Sequence, residues 1–548
     1  MCDKFDGDGT IGHQNGAMKL AAHLLQTPDI AGQFWNLHMK EENCGIVSLW
    51  NTALEFFPFN FTSLSVMAAG LAKAGKCSVQ NLLEELKNLP VYSEFYNPNL
   101  VPVTKLSMNS DDVLVGRDYY PLSSLTYKVE AGSRAALIDR KDGTWIHYRT
   151  PYSYWTIFND VIERALGHHQ SNLSGILQKV YEGTIVLNEV MKVLVKDKEV
   201  PKYLMGPCEG VFATLIRYMR AESPPLPLLV SCLNVSSALV PLFHKEIHLR
   251  LINTGLLPRL VRAQLSPAEY ANGISLEPGA AGSYLVTLEQ PTGIYNFLAA
   301  YIDLLCGFCQ VSQDDRLLLD IVLPGLVFLL REVFPNVCGW RYAAYPDRRK
   351  LLQRCINVLF NTLQHPKVST ESELLVQKTC VYALLQTENA LELLKIVAVG
   401  NEQLELMMYD ESNWISGSGS EYLKTVQKAF SVLMLALKLK TLVNNSNEIT
   451  PIEHLIFAQN KQKDALKVVP RVTSYINHAF NKNLSILCCR LLTRFATGAE
   501  AYWAASCATH GRVTAIFGNN EHERRNDLYK ITSTPFSIKR LCDPSSKP

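Results

Sequence analysis

The chain has 548 residues, of which 47% are hydrophobic and 19% are charged, and its formal net charge at pH 7 is +2. This length corresponds to several domains or to one extended array. The near-neutral charge argues against a protein dedicated to nucleic acids, which usually has a basic face. The 14 cysteines have no regular spacing and many lie in apolar helical contexts, which is typical of a reducing compartment.

The first residues, 1–16, are acidic, polar and rich in glycine, so we expect a flexible N-terminus without a cleavable signal. Phe5–Asn15 resembles a calcium loop, with Asp6 and Asp8 at ligand positions. Calcium needs anionic oxygens at both ends of such a loop, whereas a lysine and an asparagine occupy those ends here. We therefore interpret the segment as a flexible turn.

Residues 17–90 predict a helical solenoid segment, because apolar residues recur at helical spacing between breaks at prolines and at one polar stretch. Leu82, Leu86 and Leu89, for example, share one helix face, and a proline follows where the helix would end. From Val91 to Val129, prolines and tyrosines replace the helical periodicity. We expect loops there that lead into β-structure.

The passage Gly132–Phe158 departs from the helical pattern because its side chains alternate with a period of two. Asp142 and Gly143 separate two alternating runs, and Asp-Gly is a strong hairpin signal since both residues tolerate a tight turn. We expect the helical pattern to resume near Asn159, which would cap the next helix. Residues 91–160 therefore predict a small β-barrel insert with preceding loops.

Six aromatic residues in this passage form a candidate peptide-binding or packing surface: Trp145, Tyr148, Tyr152, Tyr154, Trp155 and Phe158. Small β barrels of the Src-homology-3 type can use such residues as a groove for proline-rich peptides. The same residues can fill the core of the barrel and pack it against neighbouring helices. We favour the packing interpretation and keep the groove as the alternative.

Residues 161–533 predict a second helical solenoid segment, with apolar stripes separated by proline-bearing or glycine-bearing turns. Stacked helical pairs of the HEAT or armadillo kind fit this layout, but no fixed period is found, so the array should be irregular. The glycine-rich segment Ala271–Ser283 is expected to project as a surface loop. The tail, 534–548, lacks apolar periodicity and is expected to be disordered.

The best candidate for a membrane helix is Pro224–Phe243, which contains no charged residue. Prolines and polar residues interrupt this segment more than is usual for a spanning helix. We interpret it as a proline-started helix buried in the array, and we predict no transmembrane segment.

Two residue pairs resemble metal-ligand spacings. His244 and His248 could share one helix face, but Glu246 does not directly follow the first histidine as it would in a zinc hydrolase. Cys306 and Cys309 lie inside an apolar helix without the second pair of a zinc ribbon. The sequence therefore predicts no metal site, no cofactor and no catalytic residue.

Six segments together resemble one family: Lys76–Tyr96, the hairpin with Tyr152–Phe158, Leu288–Leu305, Trp340–Leu352, Thr425–Lys440 and Thr450–Ile456. Each is weakly specific alone, but their collinear order is similar to that of the nucleoporin 188 family, whose members are very large inner-ring scaffold proteins of the nuclear pore. The resemblance implies an α-helical superhelix interrupted by one Src-homology-3-like barrel. The expected fold is thus mainly α, an irregular HEAT/armadillo-like α-solenoid with one small inserted β barrel.

The resemblance also implies a function and a location. The protein is expected at the nuclear pore complex in the nuclear envelope, where it would help to build the inner ring and support protein import and RNA export. Family members are much longer, and their C-terminal tail, which has no counterpart here, makes the main contact with the partner nucleoporin 93. The resemblance fades after Phe495, which suggests a truncated end.

The expected partners are therefore other inner-ring nucleoporins and transport receptors, with no direct contact to nucleic acid. A soluble karyopherin-like transport receptor or adaptor is the alternative function, since the family's superhelices look like transport receptors. A metal hydrolase that uses His244 and His248 is a third hypothesis. We favour the non-enzymatic scaffold because the charge is near neutral and a barrel is inserted in the array.

Overall fold

The computed structural model describes residues 11–509 except 44, 107–110, 122–124, 141–142, 168–172, 263, 312–313, 365–369, 413–417, 445–447, 458–465 and 479–480. The predicted calcium-like residues Asp6 and Asp8 and the predicted tail 534–548 lie outside the described residues. The first helix already begins at Ile11, so the end of the segment expected to be flexible is helical.

The protein is mainly helical, as the sequence predicts, and comprises two compact units, an N-terminal unit (Met1–Ile247) and a C-terminal unit (His248–Pro548). Its elements up to residue 251 are α1 (Ile11–Leu24), α2 (Pro28–Met39), α3 (Gly45–Glu55), α4 (Phe61–Lys73), α5 (Lys76–Lys87), β1 (Tyr92–Phe95), β2 (Val103–Lys105), β3 (Asp112–Val115), β4 (Arg134–Arg140), β5 (Gly143–Tyr148), α6 (Tyr154–Leu166), α7 (Leu173–Asp197), α8 (Met205–Tyr218) and α9 (Leu226–Leu251).

The five strands form one antiparallel sheet in the order β1-β5-β4-β3-β2. The predicted hairpin is β4–β5, in which Arg140 pairs with Gly143, and Asp142 lies outside the described residues. Strands β1 to β3 lie in the stretch that was expected to be loop. The sequence did not predict them because strands of three or four residues are too short to show clear alternation.

The expected helix start at Asn159 is wrong. Helix α6 begins at Tyr154, where Ser153 is the N-cap and its hydroxyl oxygen accepts a hydrogen bond from the backbone N–H of Trp155 at 3.2 Å. Serine is a preferred N-cap because its oxygen satisfies a backbone donor that has no partner within the helix. The last part of the predicted β passage is therefore the first turn of a helix.

Helix α9 is the one helix in the described part of the chain that is long and apolar enough to cross a membrane. Half of the most apolar 18-residue stretch of this helix is buried inside the protein, as in the core helix of a helical array. Pro241 lies inside the helix, and Phe243 has a non-helical backbone conformation (φ −125°, ψ 31°). A proline removes one backbone hydrogen bond to the preceding turn, so the helix is weakened just before the kink.

The later elements are β6 (Arg259–Leu260), α10 (Pro267–Ala271), β7 (Leu276–Glu277), α11 (Gly279–Tyr284), α12 (Gln290–Thr292), α13 (Asn296–Val311), α14 (Asp315–Leu317), α15 (Leu323–Phe328), α16 (Tyr345–Gln364), α17 (Glu371–Gln386), α18 (Asn389–Val397), α19 (Asn401–Ser412), α20 (Ser418–Lys438), α21 (Pro451–Phe457), α22 (Val468–Ser474) and α23 (Lys482–Thr509).

The segment Ala271–Ser283 does not project as expected. Strand β7 pairs with β6, and the backbone N–H of Ala280 donates to the carbonyl of Gly255 at 3.0 Å. Gly279 adopts a left-handed φ of +63°, and a Cβ there would lie 2.5 Å from the carbonyl oxygen of Leu257. The glycines thus allow close backbone packing, so a glycine-rich composition does not here indicate a free loop.

Three π-helical turns interrupt the helices that the structure describes in the C-terminal unit, at Leu285–Glu289, Leu318–Val322 and Leu329–Val333. A proline follows each turn two residues later, at positions 291, 324 and 335. Proline lacks a backbone N–H and its ring clashes with the carbonyl four residues earlier. A wider turn with an i→i+5 hydrogen bond relieves that clash, so these helices continue through or up to their prolines.

Candidate functional site

The six aromatic residues of the candidate surface are all buried: Trp145, Tyr148, Tyr152, Tyr154, Trp155 and Phe158. The first two lie on β5, the third follows that strand, and the last three lie on α6. Strand β5 lies between β1 and β4 and is buried on both faces. The side chains therefore point in several directions, and together with their ring partners we call them the aromatic core.

One face of β5 packs on the segment that joins α3 to α4. The indole ring of Trp145 lies 4.2 Å from the ring of Phe95 on β1 and 4.6 Å from that of Phe59, centroid to centroid. Phe56 meets the same indole edge-on at 5.5 Å. These are favourable aromatic geometries, and they attach the sheet to the preceding helices.

The opposite face of β5 contains a buried hydrogen bond. The hydroxyl of Tyr148 donates to Oε1 of Glu94 on β1 at 3.0 Å, and both residues are buried. Burial raises the pKa of Tyr148, and the nearby negative charge of Glu94 raises it further. The phenol thus stays protonated and remains a donor to the carboxylate over the physiological pH range.

Tyr152 connects the sheet to two backbone segments. Its hydroxyl donates to the carbonyl of Phe57 at 3.2 Å and to that of Val91 at 3.0 Å. Its backbone exchanges two hydrogen bonds with Leu89, at 2.7 and 3.1 Å. Because its polar atom is directed at the main chain, little of this residue is available to an external ligand.

The first two turns of α6 pack on α4. Tyr154 stacks on Phe57 and Phe61 at 5.3 and 5.4 Å, and its hydroxyl shares a hydrogen bond of 2.8 Å with Oγ of Ser65. The ring of Trp155 lies edge-on to that of Tyr154 at 5.1 Å. Buried tyrosines usually find such a partner for the hydroxyl group.

Phe158 packs on the next helix, α7, at a glycine. A Cβ added to Gly183 would lie 2.2 Å from Cε2 of Phe158, a separation that real atoms do not adopt. The glycine in α7 therefore allows the phenyl ring to fill the space between the two helices. This contact between residues distant in the chain could not be read from the spacing of aromatic residues alone.

Sequence reasoning missed a buried carboxylate on α6. Asp160 is fully buried, and its Oδ2 accepts hydrogen bonds from the backbone N–H groups of Leu125 and Thr126 at 2.9 and 3.2 Å. The Thr126 hydroxyl also donates to Oδ1 at 3.0 Å. Charge-assisted bonds of this kind are strong, so Asp160 holds the loop before β4 against the helix. In the sequence, Asp160 is marked only as an acidic residue among the apolar residues of one helix face.

The predicted metal-like pairs do not form a ligand set in the described residues. No group of three or more histidine, cysteine or acidic side chains there could hold a metal ion. His248 is paired with Asp320, with Nε2 3.1 Å from Oδ2. Burial raises the pKa of Cys306 to about 11 and that of Cys309 to about 12, so both remain thiols at neutral pH.

The rings of the aromatic core contact one another and the neighbouring helices, and its tyrosine hydroxyl groups have hydrogen-bond partners inside the protein. The fold thus defines a mainly helical protein with one inserted five-stranded antiparallel sheet. The model of the family "Nucleoporin Nup188, N-terminal subdomain III" matches residues 145–507, more than half of the chain. The chain therefore belongs to the Nup188 family of nucleoporins.

Curated relatives agree with this assignment. The chain is 32% identical to nucleoporin Nup188 of Drosophila melanogaster over 516 residues, which cover 90% of the chain and 27% of the relative. It is 25% identical to NUP188 of Xenopus tropicalis over 88% of the chain, and 24% identical to human NUP188 over 89% of it. The chain spans only about 27% of the length of these relatives.

Proposed function

We propose that the chain is a non-enzymatic structural component of the inner ring of the nuclear pore complex, located at the nuclear envelope. Through protein–protein contacts it supports protein import and mRNA export. The observation that carries this proposal is the family match over residues 145–507, which coincides with a nearly continuous series of helices. The proposed role is therefore structural, because packed helices supply extended surfaces that bind partner proteins.

The finer architecture is part of the same proposal. The helices form an irregular solenoid of the HEAT or armadillo kind over residues 17–90 and 161–533, and residues 91–160 form a Src-homology-3-like barrel inserted between them. Contacts between helices that are a few elements apart support this arrangement, since α4 packs on α1 and α7, while α16 packs on α13 and α20. Such neighbour-to-neighbour packing is typical of helical repeats.

The six aromatic residues of the candidate surface serve as packing residues, not as a peptide groove. Their burial and their contacts with α4, α7 and the segment before α4 support this role. Phe59 and Phe95, whose rings contact that of Trp145, are 47% and 43% exposed. A proline-rich ligand would have to use exposed rings such as these instead.

The partners in this proposal are other inner-ring nucleoporins, including a protein of the nucleoporin 93 type, and transport receptors. No direct contact with nucleic acid is included, because the net charge of +2 offers little general attraction for a polyanion. The solenoid surfaces would supply these contacts.

The proposal is tested by retention at the nuclear envelope. Cells that express the fluorescently tagged chain are permeabilised with digitonin and washed, and the rim signal and its recovery after photobleaching are measured. A scaffold component stays at the rim and recovers slowly. A chain that washes out freely and recovers within seconds would instead indicate the alternative function, a soluble transport receptor or adaptor.

A pull-down from nuclear envelopes, with and without added C-terminal sequence from a longer relative, then separates the partners. Nucleoporins that the chain retains by itself contact the described helices. Partners that appear only with the added sequence, as expected for the nucleoporin 93 type, contact that sequence. Retention of no nucleoporin in either arm would contradict the scaffold proposal.

A further inference from the structure

A small pocket lies in the N-terminal unit, between the end of α6, the start of α7 and the residues before and at the start of α4. Its lining residues are Pro58, Phe61, Val161, Arg164, Ile176 and Lys179. Its volume is about 50 Å³, whereas a single water needs roughly 10–15 Å³ on the same scale. The pocket therefore accepts a group of a few heavy atoms, and we call it the α6–α7 pocket.

The walls of the α6–α7 pocket are apolar, and its charged groups are cations. Pro58, Phe61 and Val161 are buried, while Arg164 and Lys179 are partly exposed. Neither cation has a side-chain hydrogen bond or an ion pair with another described residue. Two like charges that line one partly desolvated site are an unfavourable arrangement, which an incoming anion would relieve.

The local electrostatics agree with this geometry. Burial lowers the pKa of Lys179, and the nearby charge of Arg164 lowers it further, whereas Glu182 raises it. The carboxylate of Glu182 is buried and accepts a hydrogen bond from Nε2 of Gln178 at 2.7 Å. Glu182 offsets part of the charge of the two cations, and the lining residues of the pocket themselves carry a net positive charge.

We propose that the α6–α7 pocket binds an acidic peptide segment of a partner protein, in which a carboxylate side chain contacts Arg164 and Lys179 and an adjacent apolar side chain contacts Ile176. An arginine guanidinium can donate two parallel hydrogen bonds to a carboxylate, and an adjacent ammonium adds charge. The apolar walls favour a peptide over single-stranded RNA, which needs an exposed aromatic face for base stacking. Phe61 is only 1% exposed and offers no such face.

The test uses the purified full chain and two short fluorescein-labelled peptides, one of alternating leucine and glutamate and one of alternating leucine and glutamine. Binding is measured by fluorescence anisotropy at low and at physiological salt. The glutamate peptide should bind about tenfold more tightly than the glutamine peptide, and this preference should decrease as salt screens the charges.

Two pocket variants, Arg164→Gln and Lys179→Gln, should each weaken binding of the glutamate peptide by about tenfold. The matched control is Lys196→Gln, which removes the same charge from an exposed position on the same helix, α7. It should leave the affinity unchanged. The melting temperature of each variant is measured alongside, so that a loss of binding is not mistaken for a loss of folding.

Equal binding of both peptides, or unchanged binding by both pocket variants, would overturn the proposal. An oligouridylate is the third probe: if it binds and the pocket variants abolish its binding while the glutamate peptide fails to bind, the pocket is a nucleic-acid site and the peptide proposal is wrong. The assay uses no nuclear envelope. Its outcome is thus independent of whether the chain is retained at nuclear pores.

Discussion

The N-terminal and C-terminal units each bury a segment that departs from regular α-helix, but different types of side chain pack around the two segments. In the N-terminal unit, the aromatic core holds a five-stranded sheet between helices, and tyrosine hydroxyl groups donate to a carboxylate or to carbonyls. In the C-terminal unit, the described helices within residues 285–334 contain π turns and prolines, and they are here called the proline-bearing helices. Their core is largely aliphatic.

The two regions also differ in the groups that can ionise. Tyr148, Tyr152 and Tyr154 have pKa values that burial raises, so they stay neutral at physiological pH. The proline-bearing helices contain Glu289, a carboxyl group that is 1% exposed. The stability of the aromatic core should therefore depend mainly on the volume of its rings, whereas the proline-bearing helices should respond to pH near neutrality.

The largest expected effect follows from removing a large ring from the aromatic core. Trp155 is 1% exposed, so Trp155→Ala should lower the free energy of unfolding of the N-terminal unit by about 3–5 kcal/mol, through lost burial and the cavity that remains. Tyr154→Ala should have an effect of similar size. Urea denaturation, with hydrogen exchange of peptides from residues 92–166, measures the change.

The control for this substitution is Tyr120→Ala, because Tyr120 is 58% exposed. Its effect should stay within about 0.5 kcal/mol. If Trp155→Ala left the stability unchanged but abolished binding of a proline-rich peptide, the aromatic residues would form a recognition groove, and the packing role would be wrong.

The second effect concerns the buried carboxyl group of the proline-bearing helices. Oε1 and Oε2 of Glu289 accept hydrogen bonds from the first backbone N–H groups of α13, those of Phe297 and Leu298, at 2.7 and 3.1 Å. Burial raises the pKa of Glu289 to about 7, although these two hydrogen bonds lower it. An unfolded glutamate titrates near the model value of 4.5, so the folded state binds its proton more tightly.

The sign of the pH dependence follows from that difference. Between about pH 4.5 and pH 7 the folded state holds more protons at Glu289 than the unfolded state, so the free energy of unfolding should fall as pH rises through this window. The total change is of the order of 3 kcal/mol. Glu289→Gln should remove this slope, which urea denaturation at several pH values measures.

Glu332→Gln is the matched control, since Glu332 is an exposed residue of the same helices. It should leave the slope of the wild type in place. The opposite result would be a wild-type free energy of unfolding that rises between pH 4.5 and pH 7, together with loss of that rise in Glu289→Gln. It would show that the helix N-terminus stabilises the carboxylate more than burial destabilises it.

Local patterns predicted much of the fold because they depend on neighbours in the sequence. The apolar residues at helical spacing lie in helices, and the passage with a period of two contains the hairpin β4–β5. The sheet was incompletely predicted, since β1 pairs with β5 across some fifty residues of chain. The start of α6 was misplaced because Ser153, a competent N-cap, was overlooked in favour of Asn159.

The sites depend on tertiary contacts and were less accessible to sequence reasoning. The six aromatic residues were found from their clustering, but their partners, such as Ser65 and Gly183, lie on other helices. The α6–α7 pocket joins Arg164 and Lys179 across two helices, and nothing in the sequence marks them as neighbours. The three prolines were visible, but the π turns before them were not.

The smallest expected effect tests how tightly the aromatic core is packed. In an exposed helix interior, replacing glycine by alanine stabilises the helix by roughly 1 kcal/mol. At Gly183 the added methyl group would lie 2.2 Å from the buried ring of Phe158, and that ring is packed against the rings of Tyr154 and Phe61. Gly183→Ala should therefore lower the free energy of unfolding by about 1–3 kcal/mol.

Gly16→Ala is the matched control, because Gly16 is also helical and its added Cβ would meet nothing within 4 Å. It should be neutral or slightly stabilising in urea denaturation. Combining Gly183→Ala with Phe158→Leu should cost less than the sum of the two single changes, since the smaller side chain leaves room for the methyl group. Strict additivity would mean that the ring already moves aside, and the aromatic core would then be as adaptable as an aliphatic one.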